Sequence, residues 1–168
     1  VFARVSDSMT PTDLLSKYEA LLKKGRDADP EVLELGITDA QSLDRFKSFR
    51  ATLKGETSRV AFCARVDGPL GLATDAVGAA DAVCWTSPVD ADYPAFLTAL
   101  KAKSVVNLIE CESAEKAGKF AAASLSREVK TMVCLRGGDA GKLLRQYRLL
   151  AASSASSAIL LRAPREAS

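Results

Sequence analysis

An α/β fold is predicted, a doubly wound parallel sheet of about six strands with helices on both faces. Three observations carry the prediction. Short apolar runs of similar length recur along the chain, segments of helical periodicity separate them, and the punctuation of those segments is that of helix ends. Strand–helix alternation of this kind implies right-handed βαβ crossovers and parallel pairing.

The runs are VFARV at the start, PEVLELGI (Pro30 to Ile37), RVAFCARV (Arg59 to Val66), DAVCWTS (Asp81 to Ser87), VKTMVCL (Val129 to Leu135) and SAILLRA (Ser157 to Ala163). They are rich in β-branched and other apolar residues and read as strands. Helices are expected over Pro11–Lys24, Asp39–Leu53, Pro69–Val77, Tyr93–Ser126 and Asp139–Ala152, the fourth broken at Gly118. Thr10 or Thr12 can cap the first helix, and Gly25 follows its Lys23-Lys24 end. Thr38 or Asp39 can cap the second, where Leu43, Phe46, Phe49 and Leu53 fall on one face and are expected to be core.

With 168 residues, the chain reads as one domain, residues 1–168, large enough to bury a core without a metal or disulfide. Apolar residues make up 48% and charged residues 26%, as in folded globular proteins. A formal charge of +2, with Lys and Arg scattered among Asp and Glu, argues against a nucleic-acid partner. Cys63, Cys84, Cys111 and Cys134 have no CxxC spacing and read as reduced core thiols. The longest uncharged run, Leu149 to Leu161, is too short and too rich in serine to span a bilayer. The first residue is Val and no secretory pattern follows, so a mature form whose targeting segment has been removed is expected, soluble or peripheral in a plastid or mitochondrion.

The second half holds DAVCWTS, then SVVNLIECESAEKAG, VKTMVCL and GKLLRQYRLLAASSASSAILLRAP. In that order and spacing these pieces resemble the atypical short-chain dehydrogenase/reductase family, its NmrA-like branch in particular. The resemblance implies a Rossmann-like dinucleotide domain, with VFARV as its first strand and SDSMTPTD in place of its glycine-rich loop. It also puts Asp67 near the acidic position that faces the adenine.

That loop has no glycine. In the family's G-x-x-G-x-x-G pattern the glycines make the turn and let the backbone approach the pyrophosphate. Here Met9 adds bulk, Pro11 removes a donor, and Asp7 sets a negative charge where phosphate would lie. Two readings remain open: a helix cap that binds nothing, or a phosphate loop in which the hydroxyls of Ser6, Ser8, Thr10 and Thr12 replace backbone donors. The chain has no histidine, which excludes imidazole chemistry. Lys142 matches the lysine of the family's Tyr-x-x-x-Lys, but Gly138 stands where the tyrosine belongs. Tyr147 reads as a packing residue, and Trp85 as a side chain at the crevice.

These departures imply a non-catalytic Rossmann-like accessory or assembly subunit, a pseudoenzyme without cofactor, working with other protein subunits of a multi-subunit complex in an organelle. The alternative is a reductase or redox sensor that binds NADP or FMN through the hydroxyl loop. An RNA-associated relative is a third and weaker expectation, given the balanced charge.

Overall fold

The computed structural model describes residues 2–5, 9–10, 12–13, 16, 32–54, 61–111, 113–136, 140–152 and 158–162. Seven strands and five helices are described: β1 (Phe2–Arg4), β2 (Val32–Ile37), α1 (Ala40–Lys54), β3 (Ala61–Val66), α2 (Leu70–Val77), β4 (Ala82–Trp85), α3 (Tyr93–Lys103), β5 (Val106–Cys111), α4 (Ala114–Leu125), β6 (Thr131–Arg136), α5 (Ala140–Ala152) and β7 (Ala158–Arg162). The α/β class with parallel strands is as expected. The chain divides into two compact units, Val1–Val83 and Cys84–Ser168.

In the first unit β1 pairs with β2 and β2 with β3, all parallel. Six residue pairs lock β2 to β3, from Val32↔Ala61 to Ile37↔Val66. Because side chains alternate across a strand, this register sorts the residues by face. Leu33, Leu35 and Ile37 share a face with Phe62, Ala64 and Val66, and all six are buried. Phe62 meets Phe46 of α1 edge-on, with ring centroids 6.3 Å apart, so this is the face that the helix covers.

Helix α1 forms as its sequence predicts. Asp39 is its N-cap, its carboxylate accepting the Ser42 N–H at 2.7 Å and the Ser42 hydroxyl at 2.8 Å. Leu43, Phe46, Phe49 and Leu53 are all buried. The far end of the helix holds the entry to β4. Arg50 donates to the Ala79 carbonyl and, at 2.7 Å, to the Asp81 carboxylate. The other carboxylate oxygen of Asp81 accepts the Phe62 N–H at 2.9 Å, while the Asp81 N–H donates to the Phe62 carbonyl at 2.9 Å.

That last contact overturns the Rossmann-like order. In a doubly wound dinucleotide fold the order reverses, and the fourth strand returns beside the first. Here the approach to β4 lies against β3, its predecessor in sequence.

The second unit pairs β5 with β6 and β6 with β7, again parallel and in chain order. Strand β5 was not expected, because Tyr93–Ser126 reads as one long interrupted helix. The structure divides that segment into α3, β5 and α4. Ser104 ends α3 in the left-handed conformation at φ 56°, and the β-branched Val106 and Ile109 enter the sheet. Gly118 lies inside α4 and does not break it. The six expected strands are therefore seven.

All four cysteines are buried and free, as expected. Tyr147 is 37% exposed rather than packed. Among the described residues no helix is long and apolar enough to cross a membrane.

Two outcomes check this packing. Phe46→Ala empties a fully buried site and should lower the unfolding free energy by about 3–5 kcal/mol in urea titration. The Ser42 N–H bond, then the Ser42 hydroxyl, hold the Asp39 carboxyl below its ordinary pKa. A depressed carboxylate adds stability above its unfolded pKa and loses it as pH falls through the folded one. Asp39→Ala should therefore lower the melting temperature at pH 7, and the gap to the parent should narrow as the pH falls below the ordinary carboxylate range.

Candidate functional site

The face of β2 and β3 turned away from α1 carries the polar residues of the first unit. Val32, Glu34 and Gly36 alternate onto it from β2, and Ala61, Cys63 and Arg65 from β3. Glu34 is fully buried, Cys63 is fully buried beside it as its register partner, and Arg65 is half-buried opposite Gly36. Glu34 and Arg65 are diagonal neighbours on one face, a separation of about 7–8 Å between backbones that long side chains bridge. A buried carboxylate is costly unless an opposite charge and hydrogen bonds offset its desolvation. The register sets an arginine one step along the neighbouring strand, on the same face.

Both Gly36 and Arg65 lie in the carboxyl-terminal halves of their strands. In parallel α/β folds ligands bind at this end of the strands, where the following loops gather. A Cβ built on Gly36 would meet nothing within 4 Å. The sheet surface is open there.

The second unit has a buried polar cluster on the helix side of β5. The Asn107 amide donates to the Tyr93 hydroxyl at 2.7 Å and to the Ser124 hydroxyl at 2.8 Å, tying β5 to α3 and α4 together. Ser124 also donates to the Phe120 carbonyl at 2.9 Å. Burial raises the Tyr93 pKa, and its hydrogen bonds to Ser124 and Asn107 offset this only in part. A recess of about 20 Å³ beside the cluster is lined by Trp85, Thr86, Tyr93, Cys111 and Lys116 among others, room for about one water. Burial also pushes the Cys111 thiol up, against the pull of Lys116, so it is a poor nucleophile. The cluster holds the fold together rather than a substrate.

Of the residues singled out in the sequence, Thr10, Thr12, Asp67 and Trp85 are among those described. Thr10 takes part in a reciprocal cap: its hydroxyl donates to the Asp13 carboxylate at 2.6 Å, and the Asp13 N–H donates back to it at 3.2 Å. Its N–H donates to the same carboxylate at 3.1 Å. Thr12 is exposed, and the Met9 carbonyl accepts a bond from Arg45 at 2.8 Å. Asp67 follows β3, its N–H donating to the Ile37 carbonyl at 2.9 Å. Ser6, Ser8 and Gly138 lie outside the described residues. Trp85 ends β4 as expected, but it is buried against Phe96 with centroids 5.2 Å apart.

Sequence reasoning missed Glu34 and Arg65. A charged residue inside each of two apolar strands was the available signal, since Glu and Arg are almost never fully buried unless paired.

Neither a protein-family model nor a curated protein matches this chain. Solved structures do. One is a mandelate racemase/muconate lactonizing enzyme from Roseiflexus sp., 11% identical, with a TM-score of 0.64 over 99% of this chain and 48% of that one. Another is a dipeptide epimerase from Methylococcus capsulatus complexed with Mg ion, 13% identical, with a TM-score of 0.50 over 95% of this chain and 54% of that one. The chain thus spans about half the length of these structures, and at such identity the likeness is one of fold.

That likeness, with the strand order, corrects the short-chain dehydrogenase/reductase resemblance. The NmrA-like assignment falls, and so do the accessory-subunit or pseudoenzyme reading and the NADP- or FMN-binding reductase built on it. The short motifs behind the resemblance mark helix and strand ends that any chain of βα units repeats.

Asn107→Ala should leave two buried hydroxyls short of a donor and cost about 1–3 kcal/mol in chemical denaturation. Asn107→Asp is expected to be worse at pH 7 than at pH 4, because it buries a charge where the amide donated twice.

Proposed function

We propose that this chain belongs to an enzyme that moves a proton on a small polar substrate, at the face of β2 and β3 that carries Glu34 and Arg65. The observation that carries this reading is the fully buried Glu34, set on the face of β2 turned away from α1, with Arg65 on the same face of β3. A side chain of this kind costs stability and is seldom kept for packing alone. Glu34 is the acid/base group, and Arg65 orients the substrate and stabilises negative charge that develops on it.

Racemisation and epimerisation are themselves proton transfers at carbon, so the names of the two similar structures are consistent with this chemistry. Fold alone does not carry function from them. The Mg ion named with the epimerase is not part of the reading. Among the described residues no three of His, Cys, Asp and Glu come together as a metal site would need. Nor does the reading call for a nicotinamide or a flavin. It suits a plastid, a mitochondrion or any other aqueous compartment, and it leaves other faces open to protein partners.

Incubation in D₂O with a panel of dipeptides and 2-hydroxy acids, followed by proton NMR, tests it. Loss of the Cα–H signal of one substrate class is expected, slowed at least about 100-fold by Glu34→Gln. Equal exchange rates in parent and variant, or no exchange with any member of the panel, would sink the reading.

A further inference from the structure

We infer that the exposed side of α5 is a docking surface for an anionic lipid membrane, met through Leu144, Arg145, Tyr147, Arg148 and Leu149. The surface shares no residue with the proton-transfer site, so each stands or falls alone.

Helix α5 packs against β6, β7 and α4, and its other side is open. Among the described residues the exposed large apolar side chains are Val89, Leu125, Leu144, Tyr147 and Leu149, and three of these five belong to this one helix. Exposed apolar residues scattered singly need no explanation; gathered within two helical turns, they do. The charge is as uneven. Exposed lysines elsewhere face carboxylates, Lys47 with Asp44, Lys101 with Glu128 and Lys119 with Asp90. Helix α5 carries Lys142, Arg145 and Arg148 and no Asp or Glu.

Helical geometry sorts these residues into rows. Leu144 and Tyr147 stand three apart and are neighbours, as are Arg145 and Arg148, and Leu149 lies one turn beyond Arg145. Around the helix the two arginines therefore run between Leu144 with Tyr147 on one side and Leu149 on the other. A protein partner covering all five would bury both guanidiniums, at a desolvation cost that demands paired carboxylates. A second copy of this helix would set cations against cations. An anionic bilayer meets both halves of the pattern at once. Its headgroup phosphates and carboxylates lie level with the guanidiniums, whose long stems hold the charge there while the leucines reach the acyl boundary. Tyrosine is itself enriched at that depth. With its opposite side on β6 and β7, α5 meets the surface of one leaflet.

The test is sedimentation of the whole chain with vesicles of phosphatidylcholine mixed with phosphatidylserine, phosphatidylcholine alone being the control. The chain should pellet with the mixed vesicles, stay in solution with the control, and be released as sodium chloride is raised. Arg145→Gln combined with Arg148→Gln should weaken binding about tenfold or more. Leu144→Ser combined with Tyr147→Ser should weaken it as well and leave the salt dependence in place. All four positions are exposed, so both variants should melt close to the parent temperature. In Leu149→Trp the fluorescence added to that of Trp85 should shift to the blue on mixed vesicles, as the ring enters below the headgroups; this variant carries the test should the paired ones fail to fold. A parent that does not pellet with mixed vesicles at low salt, either paired variant binding as the parent does, or no blue shift in Leu149→Trp overturns the inference. Binding to poly-L-glutamate or polyuridylate but not to vesicles overturns it too, and assigns the face to an acidic protein or to RNA.

Discussion

The register between β2 and β3 is the constraint on which the first unit depends. Six parallel pairs place Leu33, Leu35 and Ile37 with Phe62, Ala64 and Val66 beneath α1. A slip of β2 by one residue would exchange its faces, sending Glu34 under the helix and Leu33, Leu35 and Ile37 out of it. Burial of the apolar set supplies the driving force, at roughly 25 cal/mol for each Å² removed from water. The placement of Glu34, Gly36 and Arg65 on one surface is the geometric consequence. The chemistry at this face is thus positioned by packing on the other.

Asp81 extends the same logic to the edge of that strand pair. One carboxylate accepts from the Arg50 side chain of α1 and from the Phe62 backbone of β3, and its own N–H closes the ladder to β3. An exposed ion pair would contribute little. Here the pair is part-buried, with Arg50 26% and Asp81 41% exposed, and it fixes backbone as well as charge. It lies where β4 enters beside β3, the placement that separates this fold from a dinucleotide-binding one.

Local structure was legible in the sequence where periodicity and caps agreed. The stripe Leu43, Phe46, Phe49, Leu53 and the Asp39 cap defined α1, and Gly78 and Ser104 close α2 and α3 where the apolar periodicity ends. Strand order was not legible, because alternation says that strands are parallel and nothing about which edge the fourth one joins. Strand β5 escaped because Asn107 and Glu110 break its apolar run at spacings that also suit a helix, while the residues that settle the matter, Tyr93 and Ser124, are 14 and 17 positions away. The hydroxyl loop had two readings, a helix cap and a phosphate loop, and the bonds of Thr10 are those of a cap. A Thr-x-x-Asp pattern is a complete cap by itself, and Thr10 with Asp13 makes that local bond.

Glu34 shows why the candidate site was harder to read than the core. Within PEVLELGI it alternates with Leu33, Leu35 and Ile37, which is where a solvent-facing residue of an exposed sheet belongs, and there an acid means nothing. Only its complete burial makes it unusual. A fully buried carboxylate costs desolvation energy, so the strand that holds Glu34 gives up stability that an apolar residue at the same position would supply.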